Sequence, residues 1–205
     1  RKEIKETDCI REVGRPAICQ KFKLTFFRTR QTRLERNVCD FDLDSRQICF
    51  QLALDKFRMY QWLNSHGYNC AKSWMNKEDF FQAIKSGDVS YPVFVKPYKG
   101  SASINISKVY NQETVELLFD NNDSLMIQEF LDGQEIGADV FIDLLSGEVV
   151  SIFTKKKLKM RAGETDKSVS FKDPKLFELI ERFVVDAGFR GQIDIDIFSI
   201  EGKYF

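Results

Sequence analysis

Residues 125–131 read Leu-Met-Ile-Gln-Glu-Phe-Leu, and the turn formers Asp132 and Gly133 follow directly. The apolar residues predict a buried strand, and the Asp-Gly pair predicts the turn that ends it. An apolar strand that runs into a linker can cover an adenine ring, while backbone groups around Glu129–Leu131 bond the edge of the base. Glu135, just past the turn, is placed to hold ribose hydroxyls. The alternative interpretation of this segment is an ordinary core strand with a polar end.

A lysine and a loop of small residues lie upstream of this segment. Residues 91–96 are mostly β-branched or aromatic and end in Lys96, which predicts a strand with a cation at its end. The following loop contains Lys99, Gly100, Ser101, Ala102 and Ser103. Small residues let backbone amides approach phosphate oxygens, and the lysine supplies a fixed positive charge. A surface lysine beside a tight turn is the alternative.

A basic segment lies downstream of the predicted turn. Its cations are Lys155, Lys156, Lys157, Lys159 and Arg161, and Gly163 and Glu164 follow. Like charges at this spacing repel one another, so a nearby anion stabilises them. A solvated charged loop is the alternative.

The segment 192–200 alternates between polar and apolar residues, and the alternation is strict over 192–197. Ile193, Ile195 and Ile197 share one face of the predicted strand, and Asp194 and Asp196 share the other. Two carboxylates with no cation nearby in sequence favour a divalent metal, and their hard oxygen ligands suit magnesium. The alternative is the exposed face of an edge strand.

The remaining patterns mix helices and strands. Apolar residues at helical spacing predict helices that stop near Gly67 and Gly188, and Asn76 is a predicted helix cap. The residues 136–143 and 148–154 predict a hairpin. A strand at 104–110 and a short helix around Val115, Leu118 and Phe119 are also predicted.

The order of these elements favours α+β lobes over a doubly wound sheet, because strands and helices do not alternate regularly. The sequence contains neither a Walker A pattern nor Gly-x-Gly-x-x-Gly.

Composition limits the classes of partner. The 31 basic and 31 acidic residues cancel, so net charge gives no reason to expect nucleic acid or an acidic membrane as a partner. No apolar run approaches the roughly 20 residues of a membrane span.

The odd number of cysteines without a Cys-x-x-Cys pair predicts reduced thiols in a cytoplasmic protein. They are Cys9, Cys19, Cys39, Cys49 and Cys70. Zinc is not expected, because His66 is the sole histidine.

Residues 1–46 show no sustained helix or strand period. Arg28, Arg30, Arg33 and Arg36 suggest a basic RNA-binding arm. Interleaved acidic residues and the run from Asp40 to Asp44 argue against it.

Across residues 53–205 the sequence resembles the ATP-grasp superfamily, in its carbamoyl-phosphate-synthase-like branch. The resemblance lies in the order of the segments above and is most specific at 55–56, 91–97, 127–135 and 155–164. It implies an α+β fold of two lobes with the nucleotide cleft between them. The expected boundaries are 1–50 for the remnant of an N-terminal lobe, 51–125 for the small lobe and 126–205 for the large lobe.

The resemblance also implies roles for particular residues. Lys56 and Lys96 are expected to contact ATP phosphates beneath the loop that contains Lys99, Gly100, Ser101 and Ser103. The expected adenine and ribose contacts are Gln128, Glu129, Phe130, Leu131 and Glu135. Lys157 and Arg161 are expected to be catalytic, meeting the γ-phosphate or an acyl phosphate. Asp194 is the expected magnesium ligand, with Asp196 second.

The implied activity is an ATP- and Mg²⁺-dependent ligase that activates a small carboxylate for attack by an amine or similar nucleophile. A homodimer is a family-level expectation. The family's Glu-x-Asn-Pro-Arg motif, which supplies the other magnesium ligands, is not found in this sequence. We therefore expect residues 1–205 alone to hold an incomplete metal site. The alternatives are an ATP-binding structural or regulatory module and a kinase-like phosphotransferase, which the lack of His-Arg-Asp and Asp-Phe-Gly sequences argues against.

Overall fold

The computed structural model describes residues 23–24, 52–99, 106–161 and 164–205. Its strands are β1 (Lys23–Leu24), β2 (Ser73–Trp74), β3 (Val93–Pro97), β4 (Ser107–Val109), β5 (Leu125–Glu129), β6 (Gln134–Ile142), β7 (Val149–Arg161), β8 (Glu164–Phe171), β9 (Gly191–Ile200) and β10 (Lys203–Tyr204). Its helices are α1 (Lys56–Ser65), α2 (Lys77–Ser86), α3 (Gln112–Asp120) and α4 (Pro174–Ala187). Apart from β1, the predicted N-terminal lobe and basic arm lie outside the described residues, as do Gly100, Ser101, Ser103 and Gly163.

One antiparallel sheet has the strand order β2-β5-β3-β4. Val93, Val95 and Ile127 share a hydrophobic core with Phe80 of α2 and Val115 of α3. Because β-branched and aromatic side chains dominate this core, the strands are buried as their sequences predict. The strands predicted at 91–96 and 125–131 are confirmed, with their ends shifted by one or two residues.

The helix ends follow the predicted capping residues. Asn76 caps α2, and its side-chain oxygen accepts a hydrogen bond from the Asp79 amide at 2.8 Å. The last helix, α4, stops at Gly188, whose φ of 69° is left-handed. Helix α1 ends at Ser65, and the turn residue His66 separates it from Gly67. These predicted starts and stops are therefore confirmed.

The second antiparallel sheet has the strand order β1-β9-β6-β7-β8, and β10 also pairs with β9. Ile193, Ile195 and Ile197 of β9 lie on its apolar face, where they share a core with helices α1 and α4. The opposite face carries Asp194 and Asp196, since successive side chains of a strand alternate. One face of this sheet therefore stabilises the fold, and the other presents charges.

Two of the alternative interpretations of the charged segments are ruled out. Residues 155–161 continue strand β7 rather than forming a loop, because β6 and β8 hydrogen-bond it on both sides. Strand β9 is not an edge strand, since β1 and β6 flank it. The alternative reading of Asp194 and Asp196 as residues of an exposed edge therefore fails.

The two sheets bear on the lobe boundaries. Strand β5 hydrogen-bonds within the four-stranded sheet, whereas the predicted boundary at 125/126 assigns most of it to the large lobe. Met59 and Leu63 of α1 belong to the core of the other sheet. The division into two lobes itself remains a proposal.

Two further observations concern the described part of the chain. No helix there is long and apolar enough to cross a membrane. Cys70 is a free thiol, and burial, with Glu129 adding to it, raises its pKa to about 11. The thiol therefore stays protonated at neutral pH. The other four cysteines of the sequence lie outside the described residues.

Candidate functional site

Lys96 lies inside the four-stranded sheet, at the end of β3, and its side chain is fully buried. Its ammonium donates to Oε1 of Gln128 at 2.7 Å, and Nε2 of Gln128 donates to Oγ of Ser73 at 2.9 Å. A buried charge is costly unless polar partners surround it. This relay across β3, β5 and β2 therefore fixes the ammonium in one place. It brings together two predicted nucleotide contacts.

The start of helix α1 docks against the segment just after Lys96. Asp55 caps the helix by accepting the amides of Phe57 at 3.1 Å and Arg58 at 3.0 Å. The ammonium of Lys56 donates to the carbonyl of Pro97 at 3.1 Å. A backbone bridge joins Asp55 to Lys99.

The packing of helix α1 against this segment brings together residues that are predicted to contact phosphate. Lys56 bonds the carbonyl of Pro97, and the backbone of Lys99 pairs with Asp55, so three lysines lie near the end of the strand that carries Lys96. The N-terminus of α1 lies at the same place, but the Asp55 carboxylate already accepts its first amides. The lysines are therefore the groups that favour an anion in this region.

The predicted linker leaves the sheet at Glu129, the last residue of β5. The Glu129 carboxylate accepts from the Lys72 amide at 3.1 Å. The half-buried Phe130 ring meets Phe94 edge-on at 5.6 Å between centroids. The Lys108 ammonium lies 3.5 Å from the Phe130 ring centroid, in a cation–π contact.

Lys108 is a residue that sequence reasoning missed. Its pairing with Phe94 across β3 and β4 places it beside the linker, and this pairing is not visible in the sequence. Leu131 follows Phe130 in the linker and is half-buried.

A cluster of opposite charges lies on the charged face of the six-stranded sheet. The Lys157 ammonium of β7 lies 2.8 Å from Oε1 of Glu135 on β6 and also contacts the Asp196 carboxylate on β9. The exposed fractions are 6 % for the Lys157 side chain, 13 % for Glu135 and 2 % for Asp196. Burial alone lowers the pKa of Lys157, but attraction by Asp196 and Glu135 outweighs it and raises the pKa. Lys157 therefore stays charged.

Two other cations of β7 also have carboxylate partners. Lys155 Nζ lies 2.6 Å from Oδ2 of Asp139, and Lys159 Nζ lies 3.3 Å from Oδ2 of Asp166. The nearby anions expected for this segment are, for these two residues, carboxylates of neighbouring strands.

Arg161 is not brought to Lys157. It is exposed at the end of β7, four residues further along, which is about 13 Å in an extended strand. The pair of residues predicted to be catalytic is therefore separated in this structure.

Asp194 lies on the same face of β9 as Asp196. Burial raises its pKa to about 6, and repulsion by Asp196 and Asp139 adds to the rise. Its Oδ1 atom is buried without a hydrogen-bond partner among the described residues. An orphaned carboxylate oxygen beside other carboxylates is what a divalent cation satisfies.

The side chains around Asp194 therefore supply some, but not all, of the ligands that a metal ion requires. No group of three or more histidine, cysteine or acidic side chains is arranged to hold a metal within the part of the chain that the structure describes. Asp194 supplies a free oxygen, whereas Lys157 already pairs with Asp196.

As a class, the molecule is an α+β protein whose two antiparallel sheets each carry buried charged side chains. Residues 53–205 match the ATP-grasp domain family. The chain therefore belongs to the ATP-grasp family.

Relatives with known names support this membership. The D-alanine–D-alanine ligase of Bacillus licheniformis is 30 % identical over 132 residues, which is 59 % of this chain and 35 % of that protein. The ligase of the same name from Natranaerobius thermophilus is 32 % identical over 96 residues, or 42 % of this chain and 26 % of that protein. The matched regions thus span about a third of these relatives or less.

Solved structures share the fold. The biotin carboxylase domain of the Hydrogenobacter thermophilus 2-oxoglutarate carboxylase, a dimer in complex with MgADP, superposes with a TM-score of 0.60 at 17 % identity, covering 76 % of this chain and 39 % of that chain. The Bacillus anthracis D-alanine–D-alanine ligase gives 0.53 at 19 % identity, covering 78 % and 51 %. At these identities the likeness shows the ATP-grasp fold alone.

Proposed function

We propose that this protein is an ATP- and Mg²⁺-dependent ligase that activates a carboxylate as an acyl phosphate for attack by an amine or similar nucleophile. The observation that carries the proposal is the buried Lys96–Gln128 relay at the end of β3, beside Lys56. Positive charge fixed at one strand end is what binding a polyphosphate requires. Membership of the ATP-grasp family supports ATP as that polyphosphate.

The nucleotide lies, in this proposal, between the two sheets. Lys56, Lys96 and Lys99 neutralise phosphate charge, and the loop with Gly100, Ser101 and Ser103 covers the phosphates. Backbone groups of Glu129, Phe130 and Leu131 bond the adenine edge. Glu135 accepts hydrogen bonds from the ribose hydroxyls.

The reaction has two transfers. A carboxylate oxygen of the substrate attacks the γ-phosphorus, and the bond from that phosphorus to the β–γ bridging oxygen breaks, releasing ADP. The nucleophile's nitrogen then attacks the acyl carbon, inorganic phosphate leaves, and the nitrogen loses a proton. The protein's contribution is to position the groups and neutralise their charge.

The charged face of the six-stranded sheet supports the first transfer. Lys157 stays protonated and buried, so its ammonium can stabilise negative charge on the transferring phosphoryl group. Arg161, which is exposed, reaches that group only if β7 or its own side chain moves. Asp194 and Asp196 are the residues that would hold magnesium, which would neutralise phosphate charge when bound.

The names of the relatives serve only as a guide to the class of substrate. D-alanine–D-alanine ligases join two amino acids, and an amino-acid carboxylate and amine are therefore the first pair to test. A cytoplasmic location and a homodimer are part of the same proposal.

The experiment is a coupled assay of ADP release by the protein with ATP, Mg²⁺ and a panel of amino acids supplied singly and in pairs. ADP release that requires both a carboxylate and an amine supports ligation. ADP release independent of any acceptor indicates an ATPase, and nucleotide binding without turnover favours the binding-module alternative.

A further inference from the structure

Gly137 lies in the middle of the charged cluster on the six-stranded sheet. On β6 its register partners are Lys155 of β7 and Asp196 of β9. Glu135 and Asp139, two residues away on either side, point to the same face. Gly137 is therefore the one position on this part of β6 where the charged face has no side chain.

The space above Gly137 is filled by lysine side chains. A Cβ atom at this position would lie 2.9 Å from Cε of Lys155 and 3.2 Å from Cε of Lys157. Real Cβ atoms essentially never approach another heavy atom as closely as the shorter of these distances. The φ angle of Gly137 is not in the left-handed region, so the backbone conformation does not explain why this residue is glycine.

The missing side chain gives Lys157 its path. Lys157 starts on β7 and contacts Asp196 on β9, so its methylene chain must cross β6 between them. The crossing runs over Gly137. A methyl group there blocks the crossing and pushes the ammonium away from Asp196.

We propose that Gly137 is a positioning residue, which keeps a channel open across β6 so that Lys157 reaches the acidic face of β9. The inference rests on the proposed function, in which Lys157 meets the γ-phosphate of ATP. Gly137 is therefore expected to affect the binding of ATP more than the binding of ADP, because ADP lacks the γ-phosphate.

The effect on folding is expected to be smaller than that of removing Lys157. The atoms that a new Cβ meets are the ends of flexible lysine side chains, which can move at small cost. Alanine also restricts the unfolded chain more than glycine does, which offsets part of the crowding. The unfolding midpoint of Gly137→Ala is therefore expected to fall by less than that of Lys157→Ala, in which the ammonium is lost altogether.

The test compares the affinities of ATP and ADP by isothermal titration calorimetry, with Mg²⁺ present, for four proteins: wild type, Gly137→Ala, Lys157→Ala and the double variant. We expect Gly137→Ala to weaken ATP about tenfold more than ADP, as for a displaced charge-assisted hydrogen bond. We expect no further ATP-selective loss when Gly137→Ala is added to Lys157→Ala, because the ATP-selective part of the effect acts through Lys157, whereas Lys155, which the new Cβ also meets, pairs with Asp139.

Three results overturn the role of Gly137. They are equal losses of ATP and ADP affinity, losses that add in the double variant, and a Gly137→Ala protein that is unfolded or unchanged. A wild-type protein that binds neither nucleotide has a different meaning, since it refutes the proposed function itself. The two failures are thus distinguished by the wild-type titration alone.

Discussion

Lys157 of β7 contacts Asp196 of β9 although strand β6 lies between them. The two residues are 39 positions apart in sequence. Glu135 on the intervening strand completes the group, with its Oε1 2.8 Å from the ammonium. Three strands are therefore joined by one buried cation on the face that we propose binds nucleotide and magnesium.

Removing this cation is expected to destabilise the fold. Lys157→Met leaves the carboxylates of Glu135 and Asp196 close together and largely buried. Breaking a buried ion pair by removing one partner costs about 3–5 kcal/mol. The free energy of unfolding, measured by urea titration at pH 7, is expected to fall by about that amount.

The matched control neutralises one of the remaining carboxylates as well. The double variant Lys157→Met/Asp196→Asn is expected to regain part of the lost stability, because less uncompensated charge stays buried. A single variant as stable as wild type contradicts the buried pair, and so does a double variant that is less stable than the sum of the single changes.

Stability is expected to depend on pH through Asp194. Its pKa is raised from 3.8 to about 6 in the folded protein, first by burial and then by Asp196 and Asp139, against the opposing effects of Lys155 and Lys157. The folded state therefore holds this proton more tightly than the unfolded state. The contribution is fully present at low pH and is lost as pH rises from about 4 through 6.

The comparison of wild type with Asp194→Asn isolates this effect from other titrating groups. The stability of wild type relative to the variant is expected to fall by about 1–2 kcal/mol between pH 4 and pH 7, after allowance for partial exposure. Urea unfolding at several pH values measures it. A difference that is constant with pH, or that has the opposite sign, contradicts the buried, orphaned state of Asp194.

Magnesium is expected to offset the free-energy cost of keeping the buried Asp194 carboxylate ionised. A divalent ion at Asp194 favours the ionised carboxylate, so Mg²⁺ with ADP raises the unfolding midpoint more than ADP alone does. The thermal shift is expected to lose its Mg²⁺ dependence in Asp194→Asn, while Asp139→Asn serves as a neighbouring acidic control. An Asp194→Asn protein that responds to Mg²⁺ as wild type does argues against this ligand.

Local sequence patterns predicted much of the fold because they act over short distances. The cap at Asn76 and the stop at Gly188 depend on neighbouring backbone groups. The alternation of Ile193, Ile195 and Ile197 with acidic residues depends on the pleat alone. Each of these features can therefore be predicted from a few consecutive residues.

The charged site was harder to predict, because its partners are distant in sequence. The run from Lys155 to Lys159 has the composition of a loop. Its pairing with β6 and β8, and its ion pairs with Asp139 and Asp196, involve residues distant in sequence. Gly137 gave no signal of its own, since its importance lies in the lysines that cross above it. Lys108 joins the linker through strand pairing that the sequence does not show.

The central claim is that Lys96 fixes the phosphates of ATP at the end of β3. The most direct test measures ATP, ADP and GTP binding by calorimetry, with Mg²⁺, for wild type and Lys96→Met. Methionine fills much of the space of the fully buried lysine, unlike alanine, so loss of binding is separated from loss of fold.

We predict that wild type binds ATP and ADP in preference to GTP, and that Lys96→Met stays folded but binds ATP at least about tenfold more weakly. Wild-type protein that binds no nucleotide, or a Lys96→Met variant that binds ATP as tightly as wild type, contradicts the claim.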